Sequence, residues 1–367
     1  MKINIVRPSF PESYDLQPEF DLCLNSGNVT NNGQYVQSFE AALQDYLQSK
    51  LKPLLFCNGE MALFNLIQAH KIRYNIPDGS GVLVPSFTFV GTINAIVLNG
   101  LKPVFCDVDE TLTMDAPKFD MKEKISLIVA VGVYGNLPNI EFLSECSKRN
   151  EQIPFILDNA PAFGSKYKGK YPCHYGHSEI YSFHATKQLS TMEGGCTVVN
   201  DPEIHQILIE LRDFGQYEKT RGDVRYPGLN SKMQEISAIV GLYNLDDFQQ
   251  EIENRKRIAA RYTKEFENLP IKLMQVSPDV ECNYLYFPLI LQEDAGTFVE
   301  TMARHDIQVR RYYTACHTLT AYKSDVPLPF TDSIKDRIVA LPCYGSLTDA
   351  EIDYICQTVK NYFECEH

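Results

Sequence analysis

The 367-residue chain is 44% hydrophobic and 22% charged, a balance that excludes disorder over most of its length and suits one large α/β domain plus a smaller one, or two medium domains. Its net charge of −13, from 34 basic and 47 acidic residues, excludes nucleic acid and anionic membrane as default partners, so an anionic small substrate would need a local basic pocket. No apolar run approaches the roughly 20 residues of a membrane helix; the longest, 125–133, is strand-sized. Met1-Lys2-Ile3-Asn4-Ile5 carries no signal-peptide pattern, and a cytoplasmic chain is expected. The 11 cysteines, from Cys23 to Cys365, form no Cys-x-x-Cys pair. Reduced, mostly buried thiols are expected, and no metal site, because short paired ligand spacing is lacking.

Taken in chain order, a short strand at Phe56 leads through Gly59 into an apolar helix. A strand over 81–84 stops at Pro85, and a helix follows over 90–99. Further strands are expected at 103–106, 126–131, 155–157, 180–183 and 196–199. Short strands apolar on both faces and separated by helices predict a mostly parallel central sheet flanked by helices, with ligands beyond the carboxyl ends of the strands. The stretch 232–269 reads as a long helical connection to a second part, with strands in 283–291 and helices over 297–305 and 348–362. No repeat, low-complexity tract or Gly/Ser linker interrupts the chain, so the two parts should pack closely.

Four stretches carry chemistry. Ser182-Phe183-His184-Ala185-Thr186-Lys187 ends a strand in a lysine-bearing loop, and Glu193-Gly194-Gly195 opens the next strand. A buried strand ends in Asp158. Alone, a loop lysine is ordinarily just solvated, and an acid after a strand ordinarily caps a turn. Together they suit pyridoxal 5′-phosphate (PLP), which needs a lysine for its Schiff base and a carboxylate beside its ring nitrogen. The ion pair with that nitrogen would favour the ionised form of Asp158. Gly59 at a helix start could hold a phosphate on free backbone N–H groups, with the Glu60 side chain expected to point away. In Pro85-Ser86-Phe87-Thr88-Phe89, one aromatic could stack on a ring while the other packs in the core.

These stretches, in this order, resemble the DegT/DnrJ/StrS family of sugar aminotransferases. The likeness spans nearly the whole chain. It includes Thr30-Asn31-Asn32-Gly33 with Phe39-Glu40, then Val104-Phe105-Cys106-Asp107-Val108-Asp109 and Tyr134-Gly135-Asn136. Ala162-Phe163-Gly164 with Tyr167-Lys168-Gly169, Gly228-Leu229-Asn230-Ser231-Lys232-Met233 and Leu341-Pro342-Cys343-Tyr344 complete it. The resemblance implies an α/β protein of aminotransferase fold type I. It would have a large PLP-binding domain over 1–245, including the N-terminal segment, and a small α+β domain over 246–367. It implies a homodimer with shared active sites and no nucleic-acid or membrane partner. By the same resemblance, Lys187 matches the Schiff-base lysine, Asp158 the partner of the ring nitrogen, and Phe89 the stacking aromatic. Gly59, Glu60 and Ser182 match the phosphate site, Asn230 matches an asparagine reaching it from the other subunit, and Tyr313 and His317 match a segment near the sugar nucleotide.

Three departures stand out. Pro161 replaces a His or Gln expected near the ring hydroxyl, leaving Asn159 or water to compensate; Glu60 replaces a hydroxyl residue; and Tyr312-Tyr313-Thr314-Ala315-Cys316-His317 departs from His-Tyr-x-Pro-Leu-His. The implied reaction moves an amino group from L-glutamate to a nucleotide-linked keto sugar. The expected substrate is dTDP-4-keto-6-deoxy-D-glucose, aminated at C-4 to dTDP-4-amino-4,6-dideoxyglucose for a polysaccharide or antibiotic sugar. Amination at C-3, a UDP or GDP sugar, and a non-catalytic sensor that keeps the fold are the alternatives. Lys187 argues against the family's dehydratases, which have His there, and the absence of Gly-x-Gly-x-x-Gly argues against a nicotinamide enzyme.

Overall fold

The computed structural model describes residues 2–8, 10, 15–114, 124–149, 153–217 and 222–364. After α1 (Gln17–Ser26) and α2 (Gln34–Leu47), the chain alternates strand and helix. The order is β1 (Leu54–Phe56), α3 (Gly59–Tyr74), β2 (Gly81–Pro85), α4 (Val90–Leu98), β3 (Lys102–Cys106), β4 (Ile125–Val131), α5 (Ile140–Arg149) and β5 (Phe155–Asp158). After the short β6 (Lys166–Tyr167) come β7 (Ser178–Ser182), β8 (Gly195–Val198) and α6 (Pro202–Arg212). Seven strands form one sheet in the order β1-β8-β7-β5-β4-β2-β3. Strands β3, β2, β4, β5 and β7 run parallel to one another, and β8 pairs antiparallel with both β7 and β1. The expected mostly parallel sheet is present, and the ends of the predicted strands lie within a residue or two of the observed ones.

Both faces of the sheet are covered, as parallel strands require. Val82, Val84, Val129, Ile156 and Ile180 meet Leu63, Leu66 and Ile96 of α3 and α4 on one face. On the other, Leu55, Tyr181, Cys196 and Val198 pack on Phe39, Leu43 and Ala238. Each such aliphatic side chain contributes about 1.5–3 kcal/mol on burial. The alternation along β7 therefore decides direction: Ile180 and Ser182 face α3, while Glu179 and Tyr181 face away.

The 232–269 stretch is two helices rather than one, α7 (Glu235–Asp246) and α8 (Phe248–Glu265). Asp247 leaves helical geometry between them (φ −97°, ψ 4°). The turn lets α7 lie on α2 while Phe248 packs against Phe163 at 5.0 Å between ring centres. Beyond α8, β9 (Lys272–Leu273) and β10 (Val280–Glu281) precede β11 (Phe287–Ile290), α9 (Gly296–Arg304), α10 (Pro329–Ile334), β12 (Ile338–Leu341) and α11 (Asp349–Glu364). A three-stranded sheet, β12-β11-β9, and a separate core around Phe287, Leu289, Phe298 and Ile355 result. The N-terminal Ile3 is fully buried in that core and bridges to Ile307, donating its N–H to the Asp306 carbonyl at 2.8 Å. The N-terminal segment thus packs on the C-terminal part.

Eight of the ten described cysteines are buried and none of the ten is in a disulfide; Cys365 lies outside the described residues. Among the described residues no helix is long and apolar enough to cross a membrane, and no group of three or more His, Cys, Asp or Glu could hold a metal.

Candidate active site

The carboxyl ends of β2, β4, β5 and β7 open into a cavity of about 410 Å³. Strand β1 turns sharply into α3 at its rim. The Asn58 side chain caps that helix, its Oδ1 accepting from the Met61 N–H at 2.8 Å. Gly59 is required here by close approach: a Cβ would lie 2.6 Å from Cβ of Ser182. The N–H groups of the first turn are thereby left at the cavity wall, beside the Ser182 side chain, as a seat for an anion.

Asp158 ends β5, is 4% exposed, and also lines the cavity. Its Oδ2 accepts from the Thr92 hydroxyl at 2.6 Å and its Oδ1 from the Ala160 N–H at 3.1 Å. Burial pushes this carboxyl above its ordinary range, against the pull of those two donors and the charge of Lys187. Lys187 sits in the loop from β7 to β8, which backbone bonds from Ala185 to Met192 and from Lys187 to His184 hold closed, both at 2.8 Å. Burial lowers its amine from 10.5 to about 8, partly offset by Asp158. A cavity containing an amine so close to neutrality and a desolvated carboxyl has the marks of a reaction centre.

Of the residues singled out in the sequence, Gly59, Glu60, Phe89, Asp158, Ser182, Lys187 and Tyr313 line this one cavity. Phe89 is 57% exposed and meets Tyr313 edge-on at 6.5 Å between ring centres. Glu60 is at the cavity wall, and its side chain turns to α4, Oε1 accepting from the Asn94 amide at 3.3 Å. Asn230 lies apart from the cavity, exposed on a bridge to Asp213. His317 is buried and does not line it either. Asn159 turns away: its amide donates to Glu179 Oε2 at 2.8 Å, so it does not supply the side-chain contact that Pro161 lacks.

Several lining residues escaped the sequence reading. Thr92 stands in the first turn of α4, and its hydroxyl is 3.2 Å from that of Thr88, which precedes the helix. Arg310 and Tyr286 come from the C-terminal part and have no local signal, while Tyr312 stands beside Tyr313 in the segment already compared with the family's motif. Arg310 has no acidic partner among the described residues; its guanidinium donates to the Tyr312 hydroxyl. It is the local cation that an acidic protein needs if it is to bind anions.

Behind the site, Glu179 is fully buried and raised from 4.5 to about 8, first by desolvation. A carboxyl raised by folding contributes stability that is complete below about 4.5 and lost as pH rises through about 8. Glu179→Gln should therefore narrow the drop in melting temperature between pH 7 and pH 9 relative to wild type. An identical drop in both proteins would refute a protonated Glu179.

A family model described as the DegT/DnrJ/EryC1/StrS aminotransferase family matches residues 12–360. A GDP-perosamine synthase of Vibrio cholerae is 28% identical over 357 residues, covering 94% of this chain and 95% of that protein. A dTDP-4-amino-4,6-dideoxy-D-glucose transaminase of Shigella dysenteriae is 27% identical, covering 98% of each. Among solved structures, Helicobacter pylori PseC, described as an aminotransferase involved in pseudaminic acid biosynthesis, matches with a TM-score of 0.90 at 23% identity over 100% of both chains. The PLP-form of Spr1654 from Streptococcus pneumoniae matches with a TM-score of 0.90 at 24% identity over 99% of each chain. These two structures share the fold. With its motifs, its sheet and its lysine–aspartate cavity in agreement, the chain belongs to the DegT/DnrJ/EryC1/StrS aminotransferase family, whose aminotransferases depend on PLP.

Proposed function

We propose that this protein transfers the amino group of L-glutamate to C-4 of dTDP-4-keto-6-deoxy-D-glucose, as a cytoplasmic homodimer. The observation that carries the reading is the convergence of Lys187, with its depressed amine, and buried Asp158 in one cavity at the strand ends. Support for the substrate class comes from relatives of nearly equal length that are named for amino sugars on nucleotides.

The residues present fit PLP. Gly59 leaves a cradle that a Cβ would close, the first-turn N–H groups and Ser182 suit a phosphate, and Phe89 offers a free face for a ring. Bound here, PLP would supply an electron sink for exchanging an amino group between donor and acceptor. Asp158 would face the ring nitrogen, and a cation there would draw its carboxyl back to the ionised form that burial opposes. Lys187 takes the proton from the donor's α-carbon and returns one later, a role open to an amine that is neutral near pH 8. Arg310 pairs with the carboxylate of glutamate and then with the anionic nucleotide sugar. The donor leaves as a keto acid whose carbonyl oxygen comes from water, and the sugar carbonyl oxygen leaves as water.

Asn230 does not line its own cavity and is exposed, with Phe214, Val224 and Leu229 exposed nearby, an arrangement that suits reaching a second copy's phosphate. Asn230→Ala should weaken PLP binding about tenfold, the loss of one hydrogen bond to a charged group. Titration of the protein with PLP by absorbance checks this; unchanged affinity would rule out the shared site.

Incubation with glutamate and dTDP-, GDP- and UDP-linked keto sugars, followed by mass and NMR analysis, tests the whole reading. An amine at C-4 of the dTDP sugar is expected. The GDP-perosamine relatives make a GDP-4-keto sugar the second reading. Amination of that sugar alone would replace the first, and no amination of any would refute both.

A further inference from the structure

Residues 315–317 lie across the carboxyl end of β2, far from them in sequence. Phe87 bridges antiparallel to Ala315, and the Cys316 N–H donates to the Ser86 carbonyl at 2.9 Å. Ser86 is fully buried. Its Oγ accepts from the His317 backbone N–H at 3.1 Å and lies 2.6 Å from His317 Nδ1. The other ring nitrogen, Nε2, is 3.3 Å from Asp332 Oδ1 on α10. That helix is itself tied to the end of β3, where the carboxylate of Asp107 accepts from the N–H groups of Phe330 and Thr331, each at 2.8 Å.

In the tautomer that carries its proton on Nε2, the ring faces Asp332 with its N–H and accepts from the Ser86 hydroxyl at Nδ1, so one imidazole serves both neighbours. Immediately before this clasp, Arg310, Tyr312 and Tyr313 form a wall of the cavity, with Tyr313 edge-on to both Phe87 and Phe89 at 6.0 and 6.5 Å.

We propose that His317 is a positioning residue that does not touch substrate: clasped between Ser86 and Asp332, it fixes the Arg310–Tyr313 wall opposite Phe89 and so sets the fit of the nucleotide sugar. The inference deepens the keto-sugar reading and rests on it.

The test uses the PLP-loaded enzyme with the keto sugar that wild type aminates best, on Ser86→Ala, Asp332→Asn, His317→Ala, His317→Asn and the Ser86→Ala/His317→Ala pair. KM for the sugar should rise about tenfold in His317→Ala and several-fold in Ser86→Ala, with kcat within about threefold of wild type. The double variant should be no worse than His317→Ala, because both remove the same clasp. His317→Asn should recover part of the loss by accepting from the Ser86 hydroxyl. Asp332 is partly exposed, so Asp332→Asn should fold normally while still raising KM modestly. The inference is overturned if Ser86→Ala and Asp332→Asn keep wild-type KM while His317→Ala does not, which would mean direct contact with the substrate. It is equally overturned if kcat falls at unchanged KM, or if every variant loses activity only in step with its melting temperature. A wild type inactive on all keto sugars would instead remove the underlying functional reading.

Discussion

Lys187→Ala is expected to lower turnover by at least about 10⁴-fold. It removes both the covalent attachment point and the proton carrier, and general acid–base catalysis alone supplies about 10²–10⁴-fold. Steady-state amination assays and the absorption spectrum check it together. The spectrum of the variant with added PLP should lack the band of the lysine-linked cofactor and its change on adding glutamate. Near-normal turnover would refute the assignment. The wild-type residue also sets a pH dependence. The folded amine titrates at about 8, below its ordinary 10.5, because burial disfavours its charge. Only the neutral amine attacks a carbonyl. Capture of PLP by cofactor-free protein should therefore accelerate as pH rises through about 8 and then level off. A rate that keeps rising about tenfold per pH unit well beyond pH 8, without levelling, would show that the amine is not desolvated.

Asp158→Asn should lower kcat by about 10²–10³-fold, the usual cost of removing one preorganised electrostatic contact from a reaction centre. The fold should tolerate it. The asparagine oxygen can still accept from the Ala160 N–H, the Thr92 hydroxyl can accept from the new amide while donating to Thr88, and burial already opposes the charge being removed. The melting temperature of the cofactor-free variant should accordingly be equal to or above wild type, while activity falls. Assay of kcat beside thermal denaturation separates the two effects. A variant that keeps wild-type kcat would remove Asp158 from the site, and one that fails to fold would show the acid to be structural.

These two residues were also the most legible. Asp158 ends an apolar run and Lys187 stands in the loop after another, and the strand character of each run is set by the residues within it. The short alternating strands likewise led directly to a sheet covered on both faces. Asn159 shows where that reading stops: it neighbours Asp158 in sequence, yet it turns to buried Glu179 on the adjacent strand.

What the sequence by itself determined here is the set of strands and helices and the chemistry at their ends, since periodicity, caps and turns act over a few residues. Only the tertiary structure decided that Ile3 packs beside Ile307, that α7 and α8 part at Asp247, and that Arg310 enters the cavity while His317 is clasped between Ser86 and Asp332. Several of these contacts join residues more than 200 positions apart. They depend on how whole elements pack to exclude water, and no local pattern encodes that choice.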